Sequence, residues 1–206
     1  MRGSVAALAA VAALLSGCTS GAARPVGSSG TTTTRTQTLT RTPSVDVSPI
    51  GTGPTTSAVG TCPLLDEQTA AGNVGMRLAK VTVSRSGGKV VGCDFFALQG
   101  SPYSHSEHLP GPNQPAVRLQ SSRYADATAA HNAMVLLADH NHNGQPAQIA
   151  AGLTGVLYQT EFDPTDHGQD WACAFSKGDT LVVVTTAVTK SSLNAVAVAG
   201  AVAGSF

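Results

Sequence analysis

The sequence predicts an α+β fold, with a largely antiparallel sheet of about five or six strands packed with helices. Three observations carry that expectation. Beyond residue 60 the elements read as helix, three strands, helix, three strands, helix. Ser86-Gly87-Gly88-Lys89 and Lys177-Gly178-Asp179 are tight turns between apolar runs, so hairpin connections dominate. Residues 125–139 carry a helical period, with Ala127, Ala130, Met134 and Leu137 on one face.

The elements follow in order. Residues 63–72 read as a short helix, with Pro63 in its first turn and Asp66 and Glu67 near its positive end. Residues 77–86 alternate Leu78, Lys80 and Thr82 against Ala79, Val81 and Val83, the period of a strand. After the Ser86–Lys89 turn, residues 90–98 form the returning strand. Residues 100–115 hold four Pro and two His without periodicity and read as a loop. A third strand is expected over 116–124, then the long helix. Residues 153–162, 170–176 and 180–188 read as three more strands. Residues 191–203 close the chain as a helix, with Ser191 or Thr189 as N-cap.

Ahead of this domain stand two segments of different character. Arg2 precedes an Ala/Val/Leu run over residues 5–15, the length of a signal-peptide core and too short to span a bilayer. Leu15-Ser16-Gly17-Cys18 ends it, small residues before a Cys with Leu three positions ahead. This resembles the bacterial lipobox, which implies cleavage after Gly17 and a diacylglycerol thioether on Cys18. Each buried methylene contributes about 0.8 kcal/mol, so two or three acyl chains anchor stably. Residues 19–60 follow, 28 of them Thr, Ser, Gly or Pro and none aromatic. Such a stretch cannot bury enough apolar surface to offset its ordering entropy and reads as a disordered tether. As a coil it spans about 35 Å. The expected organisation is a signal peptide over 1–17, lipidated Cys18 and linker over 18–60, and one domain over 61–206.

The charge excludes one class of partner. Residues 61–206 hold 8 basic and 11 acidic side chains with no Lys/Arg cluster, so they lack the footprint of nucleic-acid binding. The expected partner is the membrane, through Cys18, at the extracytoplasmic face. A further envelope protein or lipid ligand is open, and no cofactor motif appears.

Three Cys remain in the domain: Cys62, Cys93 and Cys173. Outside the cytoplasm a disulfide is expected, and an odd count leaves one thiol over. Three pairings exist. Cys62 sits where the linker ends, and a staple there keeps the first helix from fraying. Cys173 shares a strand face with Trp171 and Phe175, as a buried inert thiol does. Cys62–Cys93 is therefore the expected pair.

Cys62-Pro63-Leu64-Leu65-Asp66, Asn73-Val74-Gly75-Met76-Arg77, Gly92-Cys93-Asp94-Phe95-Phe96 and the Val-rich run Leu181–Thr186 together resemble a mycobacterial lipoprotein family. Its shared C-terminal domain has no assigned function. The likeness covers most of 61–203. It implies that the two matching Cys pair, and an α/β/α sandwich of the Mog1/PsbP kind. The chain departs from the pattern at Leu64, where the family has an aromatic, at Val74, and in carrying Cys173.

Several constellations carry candidate chemistry. Asp139-His140-Asn141-His142-Asn143-Gly144 matches the first half of a calcium loop, but the twelfth position is Ala150 and the bidentate carboxylate is missing. A polar helix-to-strand loop is the better reading. His105, His108, His140, His142 and His167 fall in expected loops, with Glu107 nearby, and none has the helical spacing of a metalloprotease pair. His131 lies on the long helix. Ser86-Gly87-Gly88-Lys89 matches S-x-x-K, yet its two Gly place it in a turn, where Ser and Lys do not lie one helical turn apart. Asp163, Asp166 and Asp170 share an acidic loop. Two functions follow. The first is a non-catalytic binding or interaction module of the cell envelope. The second is an envelope enzyme acting on cell-wall or lipid substrates through a His/Asp loop site.

Overall fold

The computed structural model describes residues 48–50, 53–100, 110–160, 170–187 and 191–206. One antiparallel sheet of eight strands organises them, and three helices pack on it. The α+β expectation holds, with more strands than the five or six expected. In chain order these are β1 (Thr55–Val59), α1 (Glu67–Val74), β2 (Leu78–Ser86), β3 (Lys89–Ala97), β4 (Val117–Arg123), α2 (Ala127–His140), β5 (His142–Ala150), β6 (Leu153–Gln159), β7 (Trp171–Lys177), β8 (Thr180–Thr186) and α3 (Leu193–Val202). Their order across the sheet is β1-β2-β3-β4-β8-β7-β6-β5. Two four-stranded meanders thus meet at a central β4–β8 pair.

The two extra strands are the two edges. β1 falls in the stretch expected to be linker, and all five of its residues are exposed. A strand that buries neither face carries no alternation, so only its pairing with β2 reveals it. β5 occupies residues expected to be loop. Its Pro146 is tolerated because an edge strand needs backbone hydrogen bonds on one side only.

The helix starts also shift. Asp66, rather than Pro63, marks the first one: its carboxylate accepts from Thr69 N at 2.8 Å, and α1 begins after it. Pro63 therefore lies outside the helix. Gly75, at φ 66°, ends α1 in the left-handed conformation, and its N–H reaches Ala71 O. Asp126 caps α2 in the same way through Ala129 N at 2.8 Å. The buried stripe of α2 is Ala129, Ala130, Ala133 and Met134, with Leu137 half-buried, while Ala127 is exposed in its first turn. At α3 the Ser191 hydroxyl accepts from Leu193 N at 3.2 Å, although Ser192 holds the cap position.

Alternation along the strands divides the core. On one face Val81, Val83, Cys93, Phe95, Leu119, Cys173, Phe175, Val182 and Val184 pack with Val74 of α1 and Val198 and Val202 of α3. On the other, Ala172, Ala174, Tyr158 and Leu181 pack with Ala129, Ala130, Ala133 and Met134 of α2. Helices therefore lie on both faces of the sheet. The small side chains of α2 and β7 let helix and sheet approach closely.

Candidate functional site

Among the described residues the covering of the second face is incomplete. α2 lies over β5, β6, β7 and β8. One row of paired residues shows why it stops there: Ser57, Ser84, Gly92, Gln120, Val183, Ala174, Val156 and Pro146 run from edge to edge. The side chains are polar or absent as far as β4, and apolar from β8 through β6. The next row divides one strand further on: Thr82, Asp94, Arg118 and Thr185 are polar as far as β8, and Ala172 and Tyr158 follow on β7 and β6. A helix can bury its apolar stripe only over the apolar half. The other half faces water, as one side of an antiparallel sheet commonly does.

α2 consequently stands as a wall beside a bare floor. An open groove of about 1030 Å³ lies in that corner, lined by Ser84, Gln120, Ser122, Tyr124, Leu137 and Leu181 among others. The floor dips at Gly92. A Cβ there would stand 2.6 Å from Leu119 O, so the close approach of β3 and β4 admits only glycine without a backbone shift. The incoming chain closes one end of the groove: Pro49, Ile50 and Gly53 line it, Ile50 N donates to Arg123 O at 2.8 Å, and Ser86 Oγ donates to Gly53 O at 3.3 Å.

Two ion pairs lie at the groove, and Lys89 also lines it. Arg118 Nε donates to Asp94 Oδ1 at 2.8 Å, and the Arg123 guanidinium binds the Asp179 carboxylate. The hydrogen bond from Arg123 holds the Asp179 carboxyl below the usual carboxylate range, and Asp179 in turn raises the guanidinium. Both pairs are solvent-exposed, and such pairs contribute about 0–1 kcal/mol each. Beside these pairs the floor offers neutral donors and acceptors on Ser84, Gln120 and Ser122, and Lys89 adds a cationic group to the lining. Sequence reasoning did not single out these residues. The only local signal was Gly92, and it is shared by any close strand pair.

The residues expected to act fall into three groups. Cys62 and Cys93 form the expected disulfide, with Cα atoms 6.0 Å apart and side chains 5% and 1% exposed. Cys173 is the free thiol, fully buried in β7, and its burial pushes its pKa up to about 12. Desolvation likewise pushes Tyr158 up to about 12. Cys18, His105, Glu107, His108, Asp163, Asp166 and His167 lie outside the described residues.

The calcium-loop match resolves into a helix-to-strand junction, and β5 starts within it at His142. Asn141 Nδ2 donates to Leu137 O at 2.7 Å, and His140 Nδ1 meets Leu136 O at 2.8 Å. Asn143 takes a left-handed φ of 56° and donates to Gln159 Oε1 at 2.6 Å. Gly144 is required because a Cβ would run into Ala138 O. The D-x-N-x-N-G pattern thus serves capping and close packing. Ser86 and Lys89 flank a two-residue turn with φ of 55° at Gly87 and 78° at Gly88, as a hairpin requires. His131 is exposed on α2. Gln114 Nε2 donates to Asp170 Oδ2 at 3.4 Å. Among the described residues no three His, Cys, Asp or Glu side chains cluster as a metal site, and no helix is long and apolar enough to cross a membrane.

No protein-family model matches this chain, and neither does any curated protein.

Proposed function

We propose that the chain is a cell-envelope lipoprotein, anchored through Cys18 at the extracytoplasmic face of the membrane, and that its domain is a non-catalytic binding module. The layering of α1 and α3 against α2 across one antiparallel sheet supports a Mog1/PsbP-like α/β/α sandwich. It is the arrangement that the likeness to mycobacterial lipoproteins implies. The observation that carries the binding reading is the groove beside α2. Its floor is polar, two ion pairs are closed within it, and its Ser and Gln groups together with Lys89 support a hydroxyl-bearing envelope ligand or the polar head of a lipid.

Two measurements test it. Membrane fractionation of Cys18→Ser should move the protein to the soluble fraction, because acyl burial is the strong attachment in this reading. Unchanged partitioning would remove the anchor. Native mass spectrometry of the wild-type protein, purified from the envelope without denaturation, should show a retained adduct. Ser122→Trp, which fills the groove, should lose it. An adduct indifferent to Ser122→Trp would place binding elsewhere, and turnover of a cell-wall or lipid substrate would make the domain an enzyme.

A further inference from the structure

The two edges of the sheet are not equally protected. β5 carries Pro146 and two register shifts, the devices that keep an edge from pairing with a neighbour. β1 has none of them. Thr55-Thr56-Ser57-Ala58-Val59 contains no charge and no Pro, and it pairs with β2 from Thr55 to Val59 without a shift. All five residues are exposed, Val59 to 74%.

The phase of the β1 backbone follows from one hydrogen bond. Gly60 N donates to Val81 O at 3.0 Å, so Gly60 turns its backbone toward β2. By alternation Ala58 and Thr56 do the same, whereas Thr55, Ser57 and Val59 turn N–H and C=O to the open side. These three outward positions are centred on Ser57. We propose that two copies of this chain pair their β1 strands antiparallel about a two-fold axis at Ser57, joining their sheets edge to edge.

The strand is self-complementary in that register. Ser57 faces Ser57 of the second copy, and Thr55 faces Val59. The Ser57–Ser57 pair and the two Thr55–Val59 pairs match outward groups with outward groups, so each can exchange both N–H···O bonds, and Thr56 and Ala58 form the non-hydrogen-bonded pairs between them. No like charges meet. Ser57 Oγ already lies 2.8 Å from Ser84 Oγ, and the axis extends this into a hydroxyl row crossing from one copy to the other. An axis through Ser57 normal to the sheet leaves both bare half-faces on one side. An extended peptide from another protein would use the same outward groups. The observation that favours a second copy is the match of the strand to itself. A five-residue edge makes a weak contact, and tethering in one membrane would raise the local concentration toward about millimolar.

The test uses the full chain carrying Cys18→Ser, so that its outcome does not depend on the anchor. Single substitutions Thr56→Cys, Ser57→Cys and Ala58→Cys are oxidised at high protein concentration. Ser57→Cys should form a disulfide-linked dimer at least tenfold faster than either neighbour alone. Mixed Thr56→Cys and Ala58→Cys chains should cross-link to each other, since those positions face across the axis. Ser57→Pro removes an outward N–H, no backbone bond to β2 and only the exposed hydroxyl contact with Ser84, so it should change the melting temperature little and abolish dimers in sedimentation velocity. Equal cross-linking rates at the three positions, or a Cys18→Ser chain with no further substitution that stays monomeric at millimolar concentration, would overturn the proposal. If Ser57→Pro fails to fold, the cross-linking pattern still decides.

Discussion

Breaking the Cys62–Cys93 disulfide should cost this domain a large part of its stability. The bond joins the segment before α1 to the centre of β3 across 31 residues. For a loop of that length, the chain-entropy treatment gives roughly 3.7 kcal/mol at 25 °C. A domain of this size has a total margin of about 5–15 kcal/mol, and each kcal/mol moves its melting temperature by roughly 2–4 °C. Cys62→Ala and Cys93→Ala should therefore each lower the melting temperature by about 10 °C in calorimetry or circular dichroism. Alanine is preferred to serine because both positions are buried, and a hydroxyl there would add a desolvation cost of about 1–3 kcal/mol. The decisive comparison is the double mutant. If the effect is loop closure, either substitution removes all of it, and Cys62→Ala/Cys93→Ala should be little worse than either single. Losses that simply add would mean that each sulfur contributes by local packing, and the entropic argument would be wrong. A single substitution costing less than about 1 kcal/mol would refute it as well.

Other outcomes follow from burial. Cys173 should resist thiol reagents at pH 8 in the folded protein and react at once when unfolded, because burial raises its pKa from 9.0 to about 12. A raised folded pKa means its contribution to stability is present below about pH 9 and is lost as pH climbs toward about 12. The wild type should therefore lose more stability than Cys173→Ala over that window in alkaline melts. Gly155→Ala should destabilise by about 1–3 kcal/mol in denaturant unfolding, since a Cβ there would run into Ala174 O of the neighbouring strand.

How much was legible depended on how many faces an element buries. Val81 and Val83 alternate with Thr82 because β2 has one dry face and one wet one, so its period was visible. Cys173 and Phe175 point to the α3 side while Ala172 and Ala174 point to α2. β7 accordingly reads as a continuous apolar run bounded by a turn. β1 buries neither face, and its Thr and Ser look like the Thr- and Ser-rich sequence before it. β5 hides behind Pro146, which argues against a strand everywhere except at an edge. The pair Cys62–Cys93 was readable because few partners existed. The groove was not, because Ser84, Gln120 and Leu137 come from β2, β4 and α2, and nothing local marks them as neighbours.

Where the groove lies is decided by where α2 can sit. The helix offers a stripe of Ala and Met, which gains only over small or apolar partners. Ala172, Ala174, Val156 and Val183 supply that floor on β6, β7 and β8. One strand further, Gln120 and Arg118 would place an amide and a paired guanidinium beneath the stripe, and burying them without full hydrogen bonding would be costly. The boundary between β4 and β8 thus stops the helix and opens the corner. Exchanging residues at that boundary should move the wall: Gln120→Val lengthens the apolar floor and narrows the groove, whereas a polar residue at Val183 loosens α2 itself. The same row of side chains therefore sets both the extent of the second core and the position of the groove.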